Sequence, residues 1–172
     1  GRFKQDESAL VGIITSAGEK SFSVGMDLKE KKTPDQEQQL VERTLKTSPR
    51  YYNINKPVVC CIKGYCLGLG WWLAMESDIR IASTDSLLGV PEINGDMIPV
   101  FGGLIPKYLP LCTTIELLIT GQPITAQRAY EQGFLNRVLP IAQVEEEGLK
   151  ISKKIHEKGS LAVQRIKALI YN

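Results

Sequence analysis

The segment Val58-Val-Cys-Cys-Ile-Lys-Gly-Tyr-Cys-Leu-Gly-Leu-Gly70 joins a short apolar run to a glycine-rich turn. Its first five residues are apolar without polar alternation, which is typical of a strand covered on both faces. A helical pattern follows from Trp71 to about Ser77. Backbone N–H groups at a turn between a buried strand and a helix converge on anions. The segment therefore predicts an α/β structure with an anion-binding turn.

Similar strand-like runs occur on both sides of this segment. They cover residues 10–15, 79–82 and 135–139. Between the first run and Val58, Thr33 and Pro34 have the residue types that begin a helix, and the helical pattern continues to Ser48. Strands alternate with helices in this way throughout the chain. The alternation predicts one α/β domain over residues 1–172, without internal repeats or linkers.

Two further helices are predicted between the last two strands. The pattern from Thr113 to Thr120 is helical and is closed by Gly121. Thr125 has the residue type of an N-cap, and the helix that it begins ends near Gly133. Glycine just past a helix and threonine just before one satisfy backbone groups that the helix leaves without partners.

The C-terminal stretch from Val144 to Tyr171 is also helical, with one break near Gly159-Ser160. Basic residues are interleaved with its apolar positions: Lys150, Lys153, Lys154, Lys158, Arg165 and Lys167. We interpret this lysine-rich face as solvated surface, and contact with phosphate is the alternative interpretation.

Composition excludes several classes of protein. The net charge is +2 at pH 7, so the chain has no broad basic footprint for nucleic acid or an anionic membrane. No apolar run approaches the roughly 20 residues of a membrane span. Cys60, Cys61, Cys66 and Cys112 form neither a disulfide framework nor a CxxC pair. These features predict reduced thiols in a cytoplasmic protein, or in one of an organellar matrix.

Three interpretations of the glycine-rich turn invoke nucleotide or nucleophile chemistry. The dinucleotide fingerprint fails because Leu73 occupies its third glycine position, and no Walker lysine follows the turn. Gly64–Gly68 has the spacing of a nucleophile elbow with Cys66 as nucleophile, and Asp96 and His156 follow in the order of a hydrolase triad. His156 is the only histidine and lies in the lysine-rich pattern, so a surface histidine is the simpler explanation.

The fourth interpretation uses main-chain donors at the same turn. The N–H groups around Leu69 and Gly70, at the start of the predicted helix, are suited to donate hydrogen bonds to a developing oxyanion. A second donor is predicted at Met26, within the glycine-containing segment Ser23–Leu28 that follows the first strand. Each such donor typically contributes about 3 kcal/mol of transition-state stabilisation.

Several segments in one order resemble the crotonase superfamily, also called the enoyl-CoA hydratase/isomerase family. They are residues 21–29, 56–70, 77–83, 91–93, 98–99, 102–103 and 120–126. The resemblance covers nearly the whole chain and implies an α/β, crotonase-like spiral of repeated ββα units. It implies that parts of the usual N- and C-terminal elements are absent. It also implies a homotrimer or homohexamer.

The resemblance also implies roles for individual residues. The backbone N–H groups of Met26 and Leu69 form the oxyanion hole, although Leu69 replaces a usual glycine. Val24, Met26 and Leu28 contact the adenine end of coenzyme A. The residues implied to bind substrate are Val24, Leu28, Gly68, Gly70, Trp72 and Asp96.

The carboxylates depart from the hydratase pattern of two glutamates. Glu92 corresponds to the second glutamate, whereas Trp72 occupies the position of the first. Glu76 lies one helical turn beyond Trp72 on the same face, so it is a candidate to replace the missing glutamate. The interpretation that we favour is a solvent-facing side chain or a structural ion pair. Asp96 replaces a usual glycine and is either an added acid or a loop-shaping residue. Trp71 and Trp72 are core aromatics, and Trp72 is equally well an apolar wall of the acyl pocket.

These observations predict an acyl-CoA enzyme of the hydratase/isomerase family, in which Glu92 is the acid/base that shuttles a proton between carbons. A thioester hydrolase of the same superfamily and a non-catalytic acyl-CoA-binding subunit are the alternatives. One histidine and no cluster of ligands predict no metal. Coenzyme A enters as part of the substrate, and no separate cofactor is expected.

Overall fold

The computed structural model describes residues 2–25, 39, 42, 46 and 52–171. The helix predicted from Thr33 to Ser48 therefore lies almost entirely outside the described residues, and Met26 and Leu28 lie outside them as well.

Eight strands are present in the described part of the chain. They are β1 (Gly12–Thr15), β2 (Ser21–Ser23), β3 (Val58–Ile62), β4 (Tyr65–Leu67), β5 (Ile79–Ser83), β6 (Leu87–Gly89), β7 (Ile124–Thr125) and β8 (Arg137–Leu139). Six α-helices accompany them: α1 (Arg2–Gln5), α2 (Leu69–Met75), α3 (Leu111–Thr120), α4 (Ala126–Glu131), α5 (Ile141–His156) and α6 (Ser160–Tyr171). Two 3₁₀ helices, Pro91–Gly95 and Gly102–Lys107, follow β6.

From β1 to β6, successive strands alternate between two sheets. The first sheet has the order β1-β3-β5-β8 and is parallel throughout. The second has the order β2-β4-β6-β7, in which only the β6–β7 pair is antiparallel. The unit β3-β4-α2 is thus a ββα repeat, and β5-β6 begins the next one. This arrangement confirms the predicted α/β class and its repeated units.

Strand β3 lies at the centre of the first sheet, and its five residues are all buried. Because side chains alternate along a strand, Val59 and Cys61 point to one face and Cys60 and Ile62 to the other. The first pair packs with Ile81 and α5, whereas the second pair packs in the larger core between the sheets. The prediction of a strand covered on both faces is confirmed.

The glycine-rich turn differs from its prediction because it contains the strand β4. Gly64 permits the reversal from β3 into β4: its φ is +64°, and a Cβ there would lie 2.1 Å from the carbonyl oxygen of Lys20. The three residues of β4 are too few to show alternation in the sequence. Their pairing with β2 and β6 makes them a strand.

The caps in the second half of the chain are confirmed. Gly121 ends α3 with a φ of +63°, and the Thr125 hydroxyl accepts a hydrogen bond from the Arg128 N–H at 3.2 Å. The break near Gly159 separates α5 from α6, although α5 begins at Ile141, just after Pro140, and not at Val144. No described helix is long and apolar enough to cross a membrane.

The lysine-rich face is only partly solvated surface. Lys153, Lys154 and Lys158 are exposed, as predicted. Lys167 is instead 8% exposed, and its Nζ donates to Asp78 Oδ2 at 2.7 Å and to the Lys56 carbonyl oxygen at 2.9 Å. The prediction was wrong for Lys167 because its partners lie far away in the sequence and carry no helical periodicity.

Candidate active site

The site is built around the turn from β4 into α2. Gly68 has φ +55° and ψ −116°, and α2 begins at the next residue, Leu69. The Gly68 N–H donates to the Gly89 carbonyl oxygen at 3.0 Å, which ties this turn to the end of β6. N–H groups in the first turn of a helix have no intrahelical acceptor and lie at the positive end of its dipole. The Leu69 N–H is such a group.

The loop after β2 lies directly against this turn. Gly25 has a φ of +89°, and a Cβ there would lie 3.4 Å from the backbone nitrogen of Leu69. A Cβ at Gly70 would lie 2.4 Å from the Ser23 carbonyl oxygen, so only glycine allows the two segments to approach. Val24 is exposed on the same loop. Residues 23–25 of the first predicted oxyanion segment thus lie against Leu69 and Gly70 of the second.

The side chain of Glu92 reaches the turn from the 3₁₀ helix that follows β6. Its Oε1 lies 3.2 Å from the position that a Cβ of Gly68 would occupy. Its Oε2 is buried and has no hydrogen-bond partner among the described residues. Desolvation by burial raises the pKa of Glu92. A hydrogen bond from its own backbone N–H lowers the pKa and only partly offsets that rise. A carboxyl with a raised pKa holds its proton more strongly, which suits it to exchange a proton with a bound substrate.

Both tryptophans of α2 are buried. Trp71 stacks on Phe134 with ring centroids 4.3 Å apart, so it is a core residue. Trp72 packs against Phe101, with ring centroids 5.5 Å apart, and its backbone N–H donates to the Gly68 carbonyl oxygen. The indole Nε1 of Trp72 is buried without a hydrogen-bond partner in the described part of the chain. Sequence reasoning missed Phe101, whose signal is an aromatic residue beside the Gly102-Gly103 pair.

The two other acids of the sequence analysis lie in different surroundings. Glu76 is 3% exposed, so its interpretation as a solvent-facing side chain was wrong. It caps the C-terminal end of α2, about 10 Å along the helix axis from Leu69. Asp96 is exposed, and its φ of +54° lies in the left-handed region, which glycine adopts most readily. This conformation accounts for the glycine that the family resemblance implies at this position.

The cysteine elbow is not formed. Cys66 lies within β4 and is fully buried, and this burial raises the pKa of its thiol well above the ordinary value. Asp96 and His156 are both exposed. A nucleophilic cysteine needs access and a lowered pKa, and Cys66 has neither. Among the residues that the structure describes, no group of three or more His, Cys, Asp or Glu side chains is arranged to hold a metal.

Comparison with known proteins gives one consistent family. The model for "Enoyl-CoA hydratase/isomerase" matches residues 1–171. Carnitinyl-CoA dehydratase of Proteus mirabilis is 34% identical over 98% of this chain, and that of Escherichia coli K12 is 30% identical over 97%. The chain spans 66% and 65% of these two relatives' lengths, respectively.

A solved structure indicates the same family as these sequence relatives. The crystal structure of an enoyl-CoA hydratase from Bacillus anthracis superposes with a TM-score of 0.93 and 34% identity, covering 99% of this chain and 68% of that one. The resemblance predicted from the sequence motifs is confirmed, together with the fold class.

Proposed function

This chain belongs to the enoyl-CoA hydratase/isomerase family, and from that membership we propose that it binds an acyl-CoA thioester and stabilises the enolate formed from it. The Leu69 N–H and the Met26 N–H polarise the thioester carbonyl. Met26 lies outside the described residues, but the approach of its neighbour Gly25 to the Leu69 nitrogen supports the pairing. Two backbone donors in a water-poor site stabilise a developing oxyanion strongly.

The burial of the Glu92 carboxyl beside this turn carries the proposal. Its Oε1 faces Gly68, one residue before the proposed donor, and its Oε2 is unpartnered among the described residues. A carboxylate so placed accepts a proton from the carbon next to the polarised carbonyl. The same group, once protonated, returns that proton to another carbon of the acyl chain.

Trp72 determines which reaction we favour. It occupies the position of the first hydratase glutamate, and it is buried against Phe101. An indole neither takes a proton from water nor activates it, whereas movement of a double bond needs a single base. We therefore propose isomerisation of a 3-enoyl thioester, with Trp72 as an apolar wall and with Val24, Leu28, Gly68, Gly70 and Asp96 around the ligand.

A dehydratase is the second candidate reaction. It is favoured by the relatives named carnitinyl-CoA dehydratase, at 34% and 30% identity. Loss of water from a 3-hydroxyacyl thioester also begins with removal of the proton next to the carbonyl, so the same donors and Glu92 serve it. Protonated Glu92 then gives that proton to the departing hydroxyl group. Thioester hydrolysis and non-catalytic acyl-CoA binding remain the alternatives. The proposed assembly is a homotrimer or homohexamer, as the family resemblance implies.

The experiment follows the absorbance of the conjugated enoyl thioester after the full-length protein is added to a 3-enoyl-CoA. Glu92→Gln is assayed in parallel, with the exposed carboxylate variant Glu146→Gln as the matched control. A rise seen with the wild-type protein and Glu146→Gln, but lost in Glu92→Gln, supports isomerisation through Glu92. If coenzyme A binds but absorbance does not change, the isomerase proposal is wrong for that substrate. A 3-hydroxyacyl-CoA then tests dehydration.

A further inference from the structure

A groove separate from the Glu92 site lies between the last two helices. Its volume is about 570 Å³, and its walls come from α5, α6 and the residues at the starts of β3, β5 and β8. It shares no lining residue with the Gly68 turn or with Glu92. Sites for small molecules typically have volumes of about 300–1,000 Å³, so the groove is large enough for one ligand.

The groove has an aliphatic interior. Its apolar lining residues on the two helices are Ile151, Ile155, Val163, Ile166 and Ile170. Within the described part of the chain, Ile166 is 59% exposed and Ile170 is 71% exposed. Burial of apolar surface contributes about 25 cal/mol per Å², which favours an alkyl chain along this surface.

The position of the α6 wall is fixed by a buried ion pair. Lys167 donates to Asp78 Oδ2, which also accepts the Val58 N–H at 2.7 Å. The pair therefore holds α6 to the starts of β3 and β5. The groove is thus formed before any ligand arrives, which lowers the ordering cost of binding.

The charges at the groove are unbalanced. Asp78 is the one acidic lining residue, and Lys167 neutralises it. Arg137 pairs with Glu147, but Lys154 and Lys158 make no ion pair within the described residues. Lys154 lies in the last turn of α5 and Lys158 lies two residues beyond the end of that helix, and both side chains line the groove. A second copy docked face to face would bring these lysines together, which disfavours self-association through this groove.

We propose that this groove binds an amphiphile with an alkyl chain and an anionic head, the chain lying on the isoleucines and the head between Lys154 and Lys158. A fatty carboxylate and an alkyl phosphate share this chemistry. The site is independent of the acyl-CoA site proposed above, because neither Glu92 nor the oxyanion donors contribute to it.

Calorimetric titration of the full-length protein tests the proposal with four probes: decanoate, decyl phosphate, decanol and acetate. We expect saturable binding of an anionic probe at one site, weaker binding of decanol and none of acetate. Tighter binding of decanoate identifies a carboxylate ligand, and tighter binding of decyl phosphate identifies a phosphate ester. Lack of saturable binding by both anionic probes overturns the proposal.

Two double variants, each with a matched control, locate the binding site. Lys154→Glu with Lys158→Glu is expected to weaken binding about tenfold. Lys150→Glu with Lys153→Glu makes the same change in net charge at exposed positions of α5 outside the groove, and leaves the affinity unchanged. Ile166→Ser with Ile170→Ser also weakens binding about tenfold. Its control is Leu161→Ser with Leu169→Ser, at positions that are 62% and 83% exposed outside the groove.

Competition and self-association complete the test. Equal weakening by test and control variants, or displacement of the anionic probe by coenzyme A, places the probe elsewhere and overturns the proposal. Concentration-dependent association that Lys154→Glu with Lys158→Glu abolishes, and that decanoate leaves intact, assigns the groove to a protein contact and also overturns it. An unchanged oligomeric state, with affinity lost only in the test variants, supports it.

Discussion

The Oε1 atom of Glu92 lies 3.2 Å from the point where a side chain at Gly68 would begin. The end of β4 and the 3₁₀ helix after β6 thus approach closely at residue 68, which has no Cβ. A side chain at this position would require the Glu92 carboxyl to move by a few tenths of an ångström. The relationship makes Gly68 a positioning residue for the proposed acid/base.

Gly68→Ala tests this relationship. The new methyl group pushes against Glu92, and the φ of +55° is strained for alanine by about 1 kcal/mol or more. We expect turnover to fall about tenfold, because a misplacement near 1 Å costs about a hundredfold and the shift required here is smaller. Steady-state kinetics measures the change. Gly18→Ala, where a Cβ meets nothing within 4 Å, is the control and keeps full activity.

The pH dependence of catalysis follows from the burial of Glu92. Burial raises the pKa of this carboxyl above its ordinary value near 4.5, and proton abstraction requires the ionised form. The acidic limb of kcat/KM is therefore expected above that value, with activity rising as pH increases through the raised pKa. A limb at or below the ordinary value contradicts Glu92 as the base.

The same shift predicts how stability changes with pH. Because the pKa of Glu92 is raised by folding, its contribution to stability is complete below the unfolded pKa and declines as pH rises through the folded one. Glu92→Gln should therefore have a higher Tm than the wild type at pH 7. The difference should vanish below about pH 4. Thermal unfolding at both pH values measures it, and a Tm unchanged at pH 7 opposes the argument.

The Lys167–Asp78 pair is expected to stabilise the C-terminal helix substantially. Lys167→Met leaves the partly buried Asp78 carboxylate with the Val58 N–H as its one hydrogen-bond partner among the described residues. We expect a loss of about 3–5 kcal/mol in the free energy of unfolding, measured by urea denaturation. Adding Asp78→Asn should recover part of that loss. Lys153→Met, at an exposed position on α5, should change stability by less than about 0.5 kcal/mol.

Replacement of Gly148 in α5 by alanine has two opposing effects on stability. Alanine is favoured over glycine in a helix interior by about 1 kcal/mol. A Cβ at Gly148, however, would lie 2.4 Å from Cys61 Sγ in β3, and overpacking typically costs about 1–3 kcal/mol. We expect Gly148→Ala to lower the free energy of unfolding. Cys61→Ala in the same chain should reverse that loss, and the double-mutant cycle measures the coupling.

The local signals of the sequence predicted much of the fold. The unbroken apolar run of β3, the N-cap Thr125 and the terminator Gly121 each act through neighbouring backbone, so a single segment reveals them. The ordered motifs also predicted the family and Glu92 as a site residue. The strands β4, β6 and β7 could not be predicted, because two or three residues show no period and become strands only by pairing.

What the sequence determined alone is the set of local preferences: which runs bury both faces, where helices stop, and which segments carry the family's motifs. Only the tertiary structure decided that the Glu92 carboxyl is buried against Gly68, that Trp72 packs on Phe101, and that Lys167 reaches Asp78 across 89 residues. The physical reason is that desolvation and ion pairing depend on what lies opposite a side chain. Periodicity along the chain reports only which face the side chain occupies.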